Sequence, residues 1–75
     1  MSAQTMSAPP RTDEVWRTKT GRIRIVCSVD DEGYWVMYRR PPPAPQDAIT
    51  VTGTKWANWV ARERATRIQK SWRAA

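Results

Sequence analysis

Residues 22–40, RIRIVCSVDDEGYWVMYRR, decide the fold that the sequence predicts. Apolar side chains alternate with polar ones over residues 22–29, with Val26 as the exception, and this pattern in β-branched residues is typical of a half-buried strand. The acidic stretch 30–33 ends in glycine and predicts a turn. Residues 34–40 then form the returning strand of a hairpin.

Weaker strand patterns flank this hairpin. Residues 14–18 predict a short strand, and residues 19–21 predict a tight turn because glycine adopts positive φ readily. Residues 47–52 predict a fourth short strand after a proline-rich connection.

A helix is predicted over residues 55–73, with Thr54 as its N-cap. The segment is rich in alanine and contains neither proline nor glycine. Its predicted apolar face consists of Ala57, Ala61, Ala65, Ile68 and Trp72.

Together these elements predict an α+β fold, a three- or four-stranded antiparallel meander with one C-terminal helix. We expect a flexible tail over residues 1–12 and one domain over residues 13–75, with the sheet in 14–52. The predicted core packs the sheet against the first turns of the helix, and its members are Ile23, Ile25, Cys27, Val29, Val36, Ile49, Val51, Trp56, Trp59 and Val60.

Composition argues against an enzyme. The 75 residues contain no histidine and one cysteine, Cys27, so the chain lacks the residues of a Ser-His-Asp or Cys-His arrangement and of a histidine metal site. We therefore expect no cofactor and no small-molecule substrate. Without a long apolar run or a secretory signal pattern, we expect a location in the cytoplasm, of the host cell if the gene is viral.

Charge points to an anionic partner. The net charge is +6, and residues 53–75 carry six basic residues against one acidic residue. On a helix these basic groups would contact phosphates or an acidic protein surface, or form a solvated face. The candidate residues are Arg62, Arg64, Arg67, Lys70 and Arg73.

A second candidate surface is an aromatic and cationic face of the sheet. Such faces stack bases or anchor protein interfaces, although in a chain without phenylalanine the same rings also serve as core. The candidate contact residues here are Trp16, Arg22, Arg24, Trp35, Arg39 and Arg40.

Several short stretches between Glu14 and about Trp59 share a pattern: 15–16, 20–21, the strand 23–29, 31–33, 36–39 and 56–59. In these stretches the chain resembles small bacteriophage-encoded β-domains, which are similar to SH3-like barrels. The proline run and the long basic helix depart from a plain closed barrel. Size and charge also resemble phage regulators of host RNA polymerase, which implies binding at a polymerase subunit, altered transcription and no catalysis.

Three functions follow from these observations. The leading hypothesis is a non-catalytic phage-type transcription regulator that docks on host RNA polymerase through the aromatic face and the basic helix. The alternatives are a stand-alone nucleic-acid-binding protein and an inhibitor of a bacterial defence nuclease.

Overall fold

Antiparallel pairing joins five strands in the order β4-β3-β2-β1-β5. The computed structural model describes residues 10–30, 32 and 35–72. Its elements are β1 (Val15–Arg17), β2 (Ile23–Val29), β3 (Trp35–Arg39), β4 (Ile49–Thr52), α1 (Gly53–Glu63) and β5 (Thr66–Gln69). The predicted α+β meander is confirmed, but the sheet is open, it has a fifth strand, and the helix does not end the domain. The predicted turn over residues 30–33 lies partly outside the described residues.

The β1–β2 turn has the predicted form. The N–H of Thr18 donates to the Arg22 carbonyl at 2.8 Å, and the N–H of Gly21 donates to the Thr18 carbonyl at 3.0 Å. Gly21 has a φ of 95°, as a three-residue hairpin loop with a left-handed last position requires.

A bulge in β2 changes which residues face the helix. Val26 pairs with Tyr38 and Val29 pairs with Val36, so the register shifts between them. The extra residue places Val26 and Val29 on the same face, and Val26 is fully buried. The residue that broke the predicted alternation is therefore at the centre of the core.

The core is otherwise close to the prediction. Membership is confirmed for Val29, Val36, Ile49, Val51, Trp56, Trp59 and Val60. Ile25 is buried as predicted, but not against α1, and membership is wrong for Ile23 and Cys27. Ile25 is buried on the opposite face of the sheet beside Val15, its partner across β1 and β2, whereas Ile23 and Cys27 are only half-buried.

The helix is shorter than predicted and begins earlier. Its N-cap is Thr52 and not Thr54, and the Thr52 hydroxyl accepts a hydrogen bond from the Lys55 N–H at 3.1 Å. It ends at Glu63 because Arg64 adopts the left-handed conformation and the Ala65 N–H returns to the Val60 carbonyl at 2.9 Å. The predicted helix over 55–73 is therefore wrong for residues 64–72, and residue 73 lies outside the described residues.

Strand β5 replaces the second half of the predicted helix. It pairs with β1, which gives that short strand a neighbour on each side. The predicted apolar helix face does not exist, because Ala57 and Ala61 are exposed and Ile68 lies in β5. Pairing with β1 satisfies backbone groups of β5, and Ala65, just before this strand, is buried in the core.

A buried carboxylate holds β1 against β5. Glu14 is 4% exposed, and its Oε1 accepts hydrogen bonds from the Arg11 N–H at 2.9 Å and from Trp16 Nε1 at 3.1 Å. Its Oε2 accepts from Arg67 Nη1 at 3.1 Å. Both oxygens are satisfied, as a buried charge requires.

The chain after β5 folds back across the face of the sheet away from α1. The Trp72 N–H donates to the Asp13 carbonyl at 2.8 Å, and its indole Nε1 donates to Asp13 Oδ1 at 3.1 Å. The Arg39 guanidinium lies 4.6 Å from the centre of the Trp72 ring. The predicted tail lies mostly outside the described residues, but Pro10, within its predicted bounds, is buried. Helix α1, the one helix in the described ranges, is neither long nor apolar enough to cross a membrane.

Candidate nucleic-acid interface

Three of the predicted arginines converge on one cleft beside the helix. The cleft has a volume of about 490 Å³ and lies between the start of β2, the end of β3 and α1. The residues lining it are Arg22, Ile23, Arg24, Arg40, Pro41, Ala44 and Trp59. None of these carries a carboxylate, so the cleft is strongly cationic.

Arg24 is fixed at the base of the cleft by aromatic rings. Its guanidinium carbon lies 4.0 Å from the centre of the Trp59 ring, 4.1 Å from Tyr38 and 5.9 Å from Trp56. Tyr38, Trp56 and Trp59 are all buried, so the guanidinium covers the edge of the core. These contacts hold the cation in place before any ligand arrives.

The environment of Arg24 disfavours its positive charge. Burial lowers the pKa of its guanidinium, and the charges of Arg40 and Arg62 lower it further, against opposing contributions from Tyr38 and Glu63. An arginine remains protonated at neutral pH even so. The side chain is thus a partly desolvated cation among like charges, and an anion in the cleft would relieve that unfavourable interaction.

The connection between β3 and β4 forms one wall of the cleft. Gln46 Nε2 donates to the carbonyls of Arg40 at 3.2 Å and Ala44 at 2.6 Å, and its Oε1 accepts from Arg39 Nη1 at 2.6 Å. The Ala44 N–H also donates to the Pro41 carbonyl at 3.2 Å. These bonds hold the proline-rich segment as a closed turn, which positions Arg40 and Pro41 at the rim.

Few carboxylates neutralise these cations. Within the described ranges, ion pairs form between Arg62 and Glu63 at 3.3 Å and between Arg67 and Glu14 at 3.1 Å. No described carboxylate comes within 4.0 Å of the charged groups of Arg22, Arg24 or Arg40. Those three cations are available to an external anion.

The predicted aromatic and cationic sheet face does not exist as one surface. Trp16 and Arg24 face the helix, and the Trp16 ring packs edge-on against Trp56 at 5.8 Å. Trp35 and Arg39 face the opposite side, because they alternate along β3 with the buried Val36 and Tyr38. The prediction is wrong in joining residues from the two faces.

The predicted basic helix is also divided by the fold. Arg62 is on α1 and acts electrostatically on Arg24, whereas Arg64 follows the helix and lines a second hollow beside the β1–β2 turn. Arg67 lies in β5 paired with Glu14, and Lys70 follows that strand on the surface. Arg73 lies outside the described residues. The prediction of a single contact surface on one basic helix is therefore wrong.

Four residues that line the cleft were not predicted as contacts: Ile23, Pro41, Ala44 and Trp59. Trp59 was assigned to the core, where it belongs, and it also lines the cleft with the little surface that it exposes. The sequence predicts Ile23 as core, and Pro41 and Ala44 as parts of the proline-rich connection. A signal for Pro41 was the double arginine before the proline run, because it places cations at the point where the chain leaves the sheet.

No protein-family model, no curated protein and no solved structure matches this chain.

Proposed function

We propose that the protein is a non-catalytic module that binds single-stranded nucleic acid in the cleft between β2, β3 and α1. The observation that carries this proposal is the convergence of Arg22, Arg24 and Arg40 on one cleft without a carboxylate partner in the described residues. The proposed role requires a cytoplasmic location, where such strands are accessible.

The type of cation favours phosphate as the bound group. Guanidinium groups present several N–H donors in a plane and match the oxygens of a phosphate. The stacking of Arg24 between Tyr38 and Trp59 fixes one such group and reduces the entropy lost on binding. Arg22 and Arg40 are exposed at the rim and supply further contacts along a phosphate backbone.

The shape of the cleft favours a single strand over a duplex. A volume of about 490 Å³ is within the range of roughly 300–1,000 Å³ that is typical of sites for small ligands. It also has apolar surface from Pro41, Ala44 and Trp59 beside the arginines. Single-strand binders combine a cationic groove with aromatic side chains for base stacking, and Trp59 is the aromatic residue that lines this cleft.

The proposal is tested by fluorescence anisotropy with a labelled oligothymidylate of about twelve nucleotides, within the usual site sizes of small single-strand binders. The substitutions are Arg22→Gln and Arg40→Gln, separately and together. We expect the double variant to bind at least about tenfold more weakly than the unchanged protein. Its salt dependence should become shallower by about 0.7 per lost phosphate contact.

Arg11→Gln is the matched control, because Arg11 is exposed and lines neither hollow. It removes the same charge, so it should change the affinity by less than about threefold. Equal weakening by the control and the cleft variants would mean that only the net charge matters. That result, or no binding at about 50 mM salt, would contradict the proposal.

A protein partner is the second candidate function, as a phage-type regulator that docks on host RNA polymerase. Trp35 is 52% exposed and Met37 is 37% exposed, side by side on the face of β3 away from α1. Exposed tryptophan and methionine are characteristic of protein contact surfaces. This face is separate from the cleft, so the two functions are compatible.

Affinity capture with purified bacterial RNA polymerase tests this second function. We expect Trp35→Ser to abolish capture while leaving oligonucleotide binding unchanged, and Arg40→Gln to leave capture intact. Retention of polymerase by the Trp35→Ser variant, or none by the unchanged protein, would exclude this face as the docking surface.

A further inference from the structure

A second cationic hollow lies on the other side of the β1–β2 turn. We call it the turn pocket; it has a volume of about 440 Å³. It is lined by Arg17, Thr18, Lys19, Thr20, Gly21, Arg64 and Thr66. Three of these residues are cationic and none is acidic, and no described carboxylate comes within 4.0 Å of their charged groups.

The two hollows adjoin at the turn. Arg22 lines the cleft, and its backbone N–H donates to Thr18 Oγ1, in the wall of the turn pocket, at 2.9 Å. Thr18 is almost fully buried, and its hydroxyl also contacts that of Thr20 at 3.1 Å. The turn is therefore a firmly held ridge between two cationic hollows.

The far wall of the turn pocket comes from the end of α1. The Lys19 N–H donates to the Glu63 carbonyl at 3.1 Å, which holds the tip of the turn beside Arg64. This contact brings together two cations that are far apart in sequence. The Glu63 carboxylate pairs with Arg62 instead, so it does not neutralise the pocket.

The backbone of Arg64 adopts a conformation that is unusual for arginine. Its φ is 51° and its ψ is 46°, in the left-handed region that favours glycine at helix ends. An arginine is strained there, because its Cβ atom crowds the backbone in the left-handed conformation. The backbone at this position favours glycine, but the chain has an arginine here. The side chain of that arginine lines the turn pocket.

We propose that the turn pocket binds a phosphate of the same nucleic-acid strand that occupies the cleft, so that the strand crosses the β1–β2 turn. This inference rests on the proposed function. Guanidinium and ammonium groups from Arg17, Lys19 and Arg64 would surround the phosphodiester, with the Thr20 and Thr66 hydroxyls at the wall. A Cβ atom added at Gly21 would have no neighbouring atom within 4 Å. A nucleic-acid strand therefore has room to pass over the turn at this residue.

Arg64→Gly is the most informative variant. It removes the cation and places the preferred residue at a left-handed position, so the melting temperature should not fall. Anisotropy with the oligothymidylate of about twelve nucleotides should nevertheless show affinity lowered by at least about fivefold, and a salt slope shallower by about 0.7. Lys19→Gln should weaken binding in the same way, and Lys55→Gln, outside both hollows, is its matched control.

The outcomes separate this inference from the proposed function. If Arg40→Gln weakens binding while Arg64→Gly and Lys19→Gln stay within about twofold of the unchanged protein, the strand does not enter the turn pocket and the inference is overturned. If none of the three variants weakens binding, both proposals fail. If Lys55→Gln weakens binding as much as Lys19→Gln, the effect is one of net charge and the inference is also overturned.

Discussion

The guanidinium of Arg24 lies 4.0 Å from the centre of the Trp59 ring, and this contact joins the cationic cleft to the hydrophobic core. The same group lies 4.1 Å from the Tyr38 ring. Arg24 therefore has two roles, since it covers buried aromatic rings and presents a positive charge to the cleft. A residue placed in this way links the stability of the fold to the geometry of the candidate site.

Arg24→Lys should reveal the structural role. Lysine keeps the charge but lacks the flat guanidinium that stacks on two rings, so we expect the free energy of unfolding to fall by about 1 kcal/mol. Urea unfolding followed by tryptophan fluorescence measures the change. Arg22→Lys is the control and should stay within about 0.5 kcal/mol, because Arg22 is exposed. Equal effects of the two substitutions would contradict the stacking role.

Arg67→Met tests the buried carboxylate that joins β1 to β5. The substitution leaves Glu14 buried with one hydrogen bond fewer, and we expect a loss of about 1–3 kcal/mol in the free energy of unfolding. Arg62→Met removes an exposed ion pair, that with Glu63, and should cost less than about 1 kcal/mol. If Arg62→Met were the more destabilising change, the anchoring role of Glu14 would be wrong.

The bulge in β2 predicts that Val26 and Cys27 contribute unequally to the free energy of unfolding. Val26→Ala should lower the free energy of unfolding by roughly 2 kcal/mol, because it empties space at a fully buried position. Cys27→Ala should cost less than about 1 kcal/mol, because that side chain is only half-buried. Chemical denaturation of both variants would refute the bulged register if Cys27→Ala proved the more costly.

At the end of α1 we expect a substitution that does not lower the free energy of unfolding. Arg64→Gly should leave the free energy of unfolding unchanged or raise it by up to about 1 kcal/mol, because glycine adopts the left-handed conformation without strain. Arg62→Gly, two residues earlier in the last turn of the helix, should lower it by about 1 kcal/mol. Thermal unfolding of both variants measures the contrast. A large loss from Arg64→Gly would mean that the arginine stabilises the helix end.

Local patterns were sufficient to predict the first four strands. Strand-forming residues over 22–29 and Gly21 in its turn are properties of short segments, and the structure has the strand and the turn where they were expected. The bulge was not predictable, because one extra residue in β2 is decided by pairing with β3 and by burial of Val26. Alternation alone assigned that position to the wrong face.

The error in the helix has a different cause. Residues 61–72 have good helix propensity, and the sequence offers no glycine or proline at the point where the helix stops. The stop depends on Arg64 in an unfavourable backbone conformation and on pairing of β5 with β1, which is a contact distant in sequence. The basic residues of this segment were therefore expected on one helix, although the fold distributes them around the domain.

The candidate site was predicted in its residue types and only partly in its geometry. Arg22, Arg24 and Arg40 were expected to contact a partner or nucleic acid from a face of the sheet, and the structure brings them into one cleft. A stronger local signal was the stretch 17–24, in which four of eight residues are basic and none is acidic. That stretch forms the turn between the two hollows.

Titration of isotope-labelled protein with an oligothymidylate, followed by the indole N–H signals of the tryptophans, tests the central claim most directly. Trp59 lines the cleft, whereas Trp35 is exposed on the opposite face of the sheet. We predict that the Trp59 signal shifts on binding, together with the side-chain N–H of Arg24, while the Trp35 signal stays unchanged. Movement of the Trp35 signal without movement of the Trp59 signal would contradict binding in the cleft.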